Sequence, residues 1–398
     1  MKLSKRIQNI APSATLAFTD RVAEMRGKGI DVIAFNVGEP DFDTPENIRK
    51  AGCAAIESGK TRYTPAAGIA DLRKVIAEKL LRENGMKYDP AAISVGTGAK
   101  QPLCNTVLAL CEEGDEVILP TPCWVSYVEM IKLAGAKPVL VPTSEKNGFQ
   151  LDVAAIEKAV TDKTVAILIN TPNNPTGAVY SEETLRALAK VALDHDLMVI
   201  SDEVYEKLTY NGKKHFSIGS ISPEMQEHTV TINGVSKAYA MTGWRIGYAA
   251  GPLPLIKGIN KLQGHATSNP CSISQYASVE AIGGPQDSVE KMRVEFDRRR
   301  QMLVKKLNEM PGISCADADG AFYLMPNVSA YFGKTAPDGT VIKDDVALAD
   351  YLLNTAHIAV VQGSAFEYPA SVRISYSNSF EALTEGMRRM EEALAQLK

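Results

Sequence analysis

The feature that most constrains this chain is a pair of short, unbroken apolar runs, TVAILIN (164–170) and LMVIS (197–201). A strand with one wet face alternates with a period of two, so a run apolar at nearly every position has both faces covered. EVILP (116–120), KPVLVP (137–142) and HTVTI (228–232) read as further strands. Between them lie helical stretches, WVSYVEMIKLAG (124–135), 152–160 and 181–194. Strand and helix in repetition predict parallel strands joined by crossover helices that pack on both sheet faces. The expected fold class is α/β with a mostly parallel sheet.

In such sheets ligands sit beyond the carboxyl ends of the strands. The residues there are Trp124, Asn173 and Asn174, then Asp202, Glu203 and Tyr205, and finally NGVSKAYAMTGWRIGY (233–248). That last stretch sets Ser236, Lys237 and Arg245 among glycines, in what reads as loop. A lysine near an arginine suits a phosphate-bearing ligand that also offers a carbonyl to an amine. Upstream, the strand ISV runs into Gly96-Thr97-Gly98-Ala99-Lys100 and then a helix. Unpaired N–H groups and the helix dipole meet at such a start, which makes it an anion seat. Pyridoxal 5′-phosphate needs this inventory: a lysine, an acid for its ring nitrogen, a flat face and donors for its phosphate. Singly, each residue has a plainer use, Asp202 as a helix cap, Trp124 as core and Asn174-Pro175 as a turn.

The ends of the chain read differently. Residues 13–29 are an amphipathic helix with Ser13 as its N-cap, followed by a strand DVIAFNV and the turn Gly38-Glu39-Pro40-Asp41. Thr44 and Pro45 mark the N-cap and first turn of the next helix. Beyond residue 285 come a charged helix with the run Arg298, Arg299 and Arg300, expected to face solvent, then short strands and a last helix at 380–396. This predicts a smaller α+β domain at 286–398, a large domain at 45–285, and an N-terminal segment, 1–44, that joins the small one.

Composition excludes several classes. A net charge of −4 and no basic stripe argue against nucleic acid as a partner. The amino terminus lacks the apolar core of a signal peptide, and no apolar run approaches membrane-spanning length, so a cytoplasmic protein is expected. The six cysteines and five histidines are scattered, which predicts buried thiols and no metal site.

With these residues in place the chain resembles the class I aminotransferases of fold type I, over essentially its whole length. The matching motifs are GEPDFDTP (38–45), RYTPAAG (62–68), GTGAKQ (96–101), PCWVSY (122–127), NTPNNPTG (170–177), SDEVY (201–205), SKAYAMTGWRIGY (236–248), GAFY (320–323) and VRISYS (372–377). The resemblance, nearest to bacterial aspartate aminotransferases, implies a seven-stranded sheet and pyridoxal phosphate as cofactor. It also implies a homodimer with shared sites. By position, Lys237 is the catalytic lysine and covalent anchor, and Asp202 the partner of the pyridinium nitrogen. Asn174 and Tyr205 contact the phenolic oxygen and Trp124 stacks on the ring. Gly98, Ala99, Lys100, Ser236 and Arg245 seat the phosphate with Tyr63 of the partner subunit. Arg373 clamps the substrate α-carboxylate, helped by Asn174, Trp124 and the Gly38 backbone, with Lys100, Ser13 and Thr15 near the distal carboxylate. Gly234 stands where many relatives carry a phosphate-binding serine. The reaction implied is amino transfer between L-aspartate and 2-oxoglutarate. The alternatives are broader, aromatic or prephenate specificity, a β-lyase on the same scaffold, and a regulator that keeps the cofactor domain.

Overall fold

The computed structural model of the chain describes residues 2–12 and 14–398, the side chains of 14–17 excepted. Seven strands form the main sheet: β1 (Ile93–Thr97), β2 (Glu116–Thr121), β3 (Lys137–Pro142), β4 (Thr164–Asn170), β5 (Met198–Asp202), β6 (Thr229–Gly234) and β7 (Ile246–Ala250). Their order is β1-β7-β6-β5-β4-β2-β3. β7 alone runs antiparallel to both its neighbours.

The unbroken apolar runs have the expected cause. Along β2 and β4, Val117, Leu119, Ala166 and Leu168 face a core with the helices Lys100–Leu110, Val125–Leu133 and Leu253–Ala266. Ile118, Ile167 and Ile169 face the opposite core, with the helices Val153–Lys158 and Glu182–Asp194. Each of these residues is therefore buried on one side or the other, and polar side chains are confined to the strand ends.

The chain termini meet. Ile33–Ala34 pairs in parallel with Ile358–Ala359, and Val22 and Phe35 share one core with Phe296, Leu352 and Met390. Only two residues of the strand expected at 31–37 pair, because the chain turns at Asn36 toward the sheet's carboxyl edge. The helix after it spans Glu46–Glu57 with Pro45 at its N-cap and no side-chain cap. The Thr44 hydroxyl instead donates to the Ala240 carbonyl at 2.6 Å.

Two expectations are corrected. Of the arginine run on the helix Asp287–Glu309, Arg298 is exposed, but Arg299 and Arg300 are 5% and 2% exposed. Consecutive helical residues point about 100° apart, so Arg298 faces water while Arg299 and Arg300 turn onto the packed side. Arg299 donates to Asp41 at 2.7 Å and Glu295 at 3.0 Å. Arg300 pairs with Asp297 at 2.7 Å, with Asn211 at 2.9 Å and with Asp317. The cysteines divide as well. Cys111, Cys123 and Cys315 are buried, Cys104 is half-buried, and Cys53 and Cys271 are exposed free thiols. Among the described residues no helix is long and apolar enough to cross a membrane.

Candidate active site

The carboxyl ends of β4 and β5, the loop after β6 and the residue before β7 open onto a cavity of about 490 Å³. Lys100, Lys237, Arg245 and Arg373 line it against two carboxylates, Asp202 and Glu39, so it suits an anionic ligand.

Lys237 follows β6 and points its Nζ at the Gly38 carbonyl, 2.6 Å away. Burial lowers its pKa to about 8, and nearby Glu39 opposes the shift. Asp202 ends β5 and is 5% exposed. Burial pushes its carboxyl up to about 6 even though the Tyr127 hydroxyl donates to it at 2.7 Å and the Val204 N–H at 3.2 Å. Asn170 ends β4 and works as a bracket. Its amide donates to the Asp202 carbonyl at 2.9 Å, and its Oδ1 accepts the Asn174 N–H at 2.8 Å.

Arg373 comes from the strand Val372–Ser375 and is 2% exposed. It donates to Asn174 Oδ1 at 3.2 Å and to the Asn36 carbonyl at 2.7 Å, with the Tyr323 ring 4.6 Å from its Cζ. Its Nε is buried and has no partner. Tyr205 and Tyr323 share a hydroxyl–hydroxyl bond of 2.9 Å. Trp124 stands just before the helix Val125–Leu133, with Tyr127 edge-on at 5.3 Å and the Lys100 ammonium 4.7 Å above its face.

The expected phosphate seat is built by close backbone approach. Gly98 has φ +67°, and a Cβ there would lie 2.3 Å from Arg245 Nη2. A Cβ on Gly247 would lie 2.2 Å from the Ala99 nitrogen. Only glycine lets these chains come so near. At Gly234 a Cβ would sit 3.0 Å from both Gly247 Cα and the Ile246 carbonyl, so a side chain there needs the β6–β7 ladder to give by a few tenths of an ångström. Ser236 lines the cavity instead.

Among the expected residues, Gly38, Ala99, Lys100, Trp124, Asn174, Asp202, Tyr205, Ser236, Lys237, Arg245 and Arg373 line this one cavity. Gly98 lies behind it. Tyr63 is 91% exposed and outside it. Ser13 and Thr15 lie outside the described side chains. Asn173 turns away, accepting the Thr176 N–H at 3.1 Å in its own loop. Tyr127, Tyr323, Asn170, Asn36 and Glu39 complete the site without any role that the motifs announce. Tyr127 carries a faint signal, since it lies one helical turn from Trp124 and so shares its face.

Glu203 also faces away from the cavity, into a buried polar cluster. It accepts from Ser201 at 2.9 Å and Ser217 at 2.6 Å, with His215 Nε2 at 2.9 Å. Glu206 is held by Lys79 and, at 2.7 Å, by Asn84. Ligand atoms of Glu203, Glu206 and His215 come within 4.8 Å of one another, a grouping that their spacing in sequence does not announce. The Lys79 ammonium already neutralises Glu206. Against its burial, Lys79 and His215 hold the Glu206 carboxyl down at about 2.

The sheet order, with a lysine, an acid and two arginines at its carboxyl edge, matches the expected fold type I. The family model for aminotransferase class I and II matches residues 30–390, and the chain belongs to that family. It is 47% identical to the aspartate aminotransferase of Bacillus subtilis over 391 residues, 98% of each chain. It is 46% identical to an aspartate/prephenate aminotransferase of Cereibacter sphaeroides over 99% of each. The crystal structure of the Rhizobium meliloti aspartate aminotransferase superposes with a TM-score of 0.96 at 43% identity, over all of both chains.

Proposed function

We propose that the chain is an aspartate aminotransferase that binds pyridoxal 5′-phosphate and moves amino groups between L-aspartate and 2-oxoglutarate, giving oxaloacetate and L-glutamate in two half-reactions. The observation that carries this reading is the meeting, in one cavity, of a lysine of lowered pKa, a buried carboxylate and an arginine with an open Nε. The relatives' names support the choice of aspartate.

The residues fit the cofactor. Asp202 accepts two hydrogen bonds and keeps lone pairs for a ring N–H, while Trp124 offers a face and Asn174 and Tyr205 a phenolic-oxygen contact. Gly98, Ala99, Lys100, Ser236 and Arg245 would hold the phosphate. The bound cofactor supplies an electron sink for the carbanion left when a substrate loses its α-proton. Lys237 Nζ, neutral above about pH 8, takes that proton as general base. Arg373, whose planar fork matches a carboxylate, holds the α-carboxylate with Asn174 and the Gly38 peptide and so fixes the α-hydrogen toward the lysine. Lys100, with Ser13 and Thr15, is assigned to the distal carboxylate.

We read 45–285 as the cofactor-binding domain, and 286–398 with 1–44 as the small one. The enzyme is a cytoplasmic homodimer in which the exposed Tyr63 serves the neighbouring site. Wild-type protein should be yellow, and Lys237→Ala should lose the band of the lysine-bound cofactor; an unchanged band sinks the assignment. A second reading, aspartate with prephenate, is favoured by the Cereibacter sphaeroides relative. Comparing kcat/KM for aspartate and phenylalanine in wild type and Lys100→Ser tests specificity, and equal losses rule out Lys100 as the distal ligand.

A further inference from the structure

The loop from Lys237 to Arg245 holds two residues in a conformation that side chains rarely adopt. Ala240 has φ 48° and Arg245 φ 57°, both left-handed, and neither is glycine. Such a shape persists only where its surroundings enforce it. Here one short segment far away in sequence supplies four hydrogen bonds to the loop. The Gly38 carbonyl accepts from Lys237 Nζ at 2.6 Å. Glu39 Oε2 accepts from the Thr242 hydroxyl at 2.8 Å. The Thr44 hydroxyl donates to the Ala240 carbonyl at 2.6 Å and accepts the Trp244 indole N–H at 3.0 Å. One hydroxyl thereby uses both its donor and an acceptor side on the loop.

The same segment is moored at its back. Asp41 accepts from Arg299 Nη1 at 2.7 Å, and the Phe42 ring meets Phe296 edge-on at 5.3 Å. Both anchors belong to the long helix Asp287–Glu309, and the buried arginine there has its charge met by Asp41 and Glu295. Five residues, Gly38, Glu39, Asp41, Phe42 and Thr44, therefore touch the catalytic lysine, the loop behind it and the C-terminal part of the chain.

We propose that residues 38–44 are a brace that keeps the Lys237–Arg245 loop in its working shape against the C-terminal helix, with Thr44 as its positioning residue. The proposal rests on the reading of this cavity as a pyridoxal-phosphate site. Thr44 does not line that cavity, so any effect it has on the cofactor passes through the loop. Arg245 sits at the loop's far end, tied to the Thr242 carbonyl at 2.9 Å, so a relaxed loop displaces the amine and the guanidinium together.

The test uses the full chain as wild type, Thr44→Val and Thr44→Ser. Three quantities are read: the dissociation constant for pyridoxal phosphate by absorbance titration, kcat and KM for aspartate, and the thermal midpoint of the cofactor-free protein. Valine keeps the shape but leaves the Ala240 carbonyl and the indole N–H unpaired. It should weaken cofactor binding about tenfold and lower kcat about tenfold, with KM moving less than about threefold. Serine, which keeps the hydroxyl, should stay within about threefold of wild type throughout. The brace is overturned if Thr44→Val matches wild type in cofactor affinity and kcat. It is also overturned if Thr44→Ser fails as badly as Thr44→Val with the same loss of thermal midpoint, since packing alone then explains both. Should Thr44→Val not fold, Asp41→Asn cuts the mooring while leaving the loop's own hydrogen bonds, and is read by the same measures. A wild type that binds no pyridoxal phosphate refutes the functional reading, whereas a wild type that binds it beside an unimpaired Thr44→Val refutes the brace alone.

Discussion

Asp202 and Glu203 are neighbours in sequence, both buried, and opposite in surroundings. Asp202 faces the cavity with two hydrogen bonds and a carboxyl held up near 6. Glu203 faces the scaffold with Ser201, Ser217 and His215 around it. Two buried arginines repeat the contrast. Arg300 meets two carboxylates and an amide, while Arg373 meets no carboxylate and keeps a bare Nε. On the scaffold side the carboxylates and Arg300 find their partners within the fold, with only His215 Nδ1 of that cluster left over, and such pairing is the condition for tolerating buried charge. On the cavity side Arg373 keeps an open Nε and Asp202 keeps lone pairs beyond its two hydrogen bonds, and under the proposed function these suit a carboxylate and a ring N–H.

The contrast can be broken at several points. The largest effect belongs to Lys237→Ala, which removes the amine that the loop after β6 brings to the Gly38 carbonyl. Transamination should fall by about 10⁴-fold, at the top of the range for a lost general base, with a thermal midpoint no lower than wild type. Next, Arg373→Lys loses the planar fork and should cost about 100-fold in kcat/KM for aspartate. Arg300→Lys, on the closed side, should change kcat/KM less than about threefold and lower the denaturation midpoint instead. Equal catalytic losses from the two would abolish the distinction between open and closed arginines.

A smaller effect concerns the two carboxylates. Glu203→Ala should destabilise the protein by about 3 kcal/mol in denaturant titration, because it strips partners from a buried network. Asp202 contributes oppositely with pH. Its folded pKa, about 6, lies above the ordinary 3.8, so the folded state binds the proton more tightly and ionisation weakens the fold. The difference in stability between wild-type apoprotein and Asp202→Asn should therefore move against wild type as pH rises through about 4 to 6. A flat difference across that window refutes the open-carboxylate account. The smallest change is Tyr127→Phe. With one donor gone, Asp202 holds its proton to higher pH. Cofactor affinity should fall about fivefold at neutral pH, and its acid limb should shift upward.

Much of the architecture is legible in the sequence because burial on both faces keeps the middles of β2, β4 and β5 apolar. The motifs at strand ends are legible for the complementary reason, that polar residues resume where the sheet stops. What escapes is whatever depends on a distant partner. Arg299 and Arg300 read as a solvated run because the partners that bury them, Asp41 and Asp317, lie 258 and 17 residues away in the chain. Tyr127 reads only as a position in a helix, because its hydroxyl meets Asp202 only once the strands between them are assembled. The Thr44 hydroxyl reads as a cap because nothing local reveals Ala240. β7 hides inside a glycine-rich motif, where IGYAA offers too few residues to show a period.

The reversal of β7 has a consequence for motion. Asn233 pairs with Tyr248 and Gly234 with Gly247, while β1 secures the other edge of β7. The Lys237–Arg245 loop is thus the tip of a hairpin whose stem lies inside the sheet. Its two ends cannot drift apart unless a central ladder opens, so the spacing of amine and guanidinium should survive fluctuations that carry Arg373 away with the C-terminal part of the chain. In amide exchange the stem at 231–234 and 247–250 should open among the last segments, and the strand holding Arg373 well before it. The enzyme would then grip its cofactor in one slow-opening unit and its substrate in a faster one.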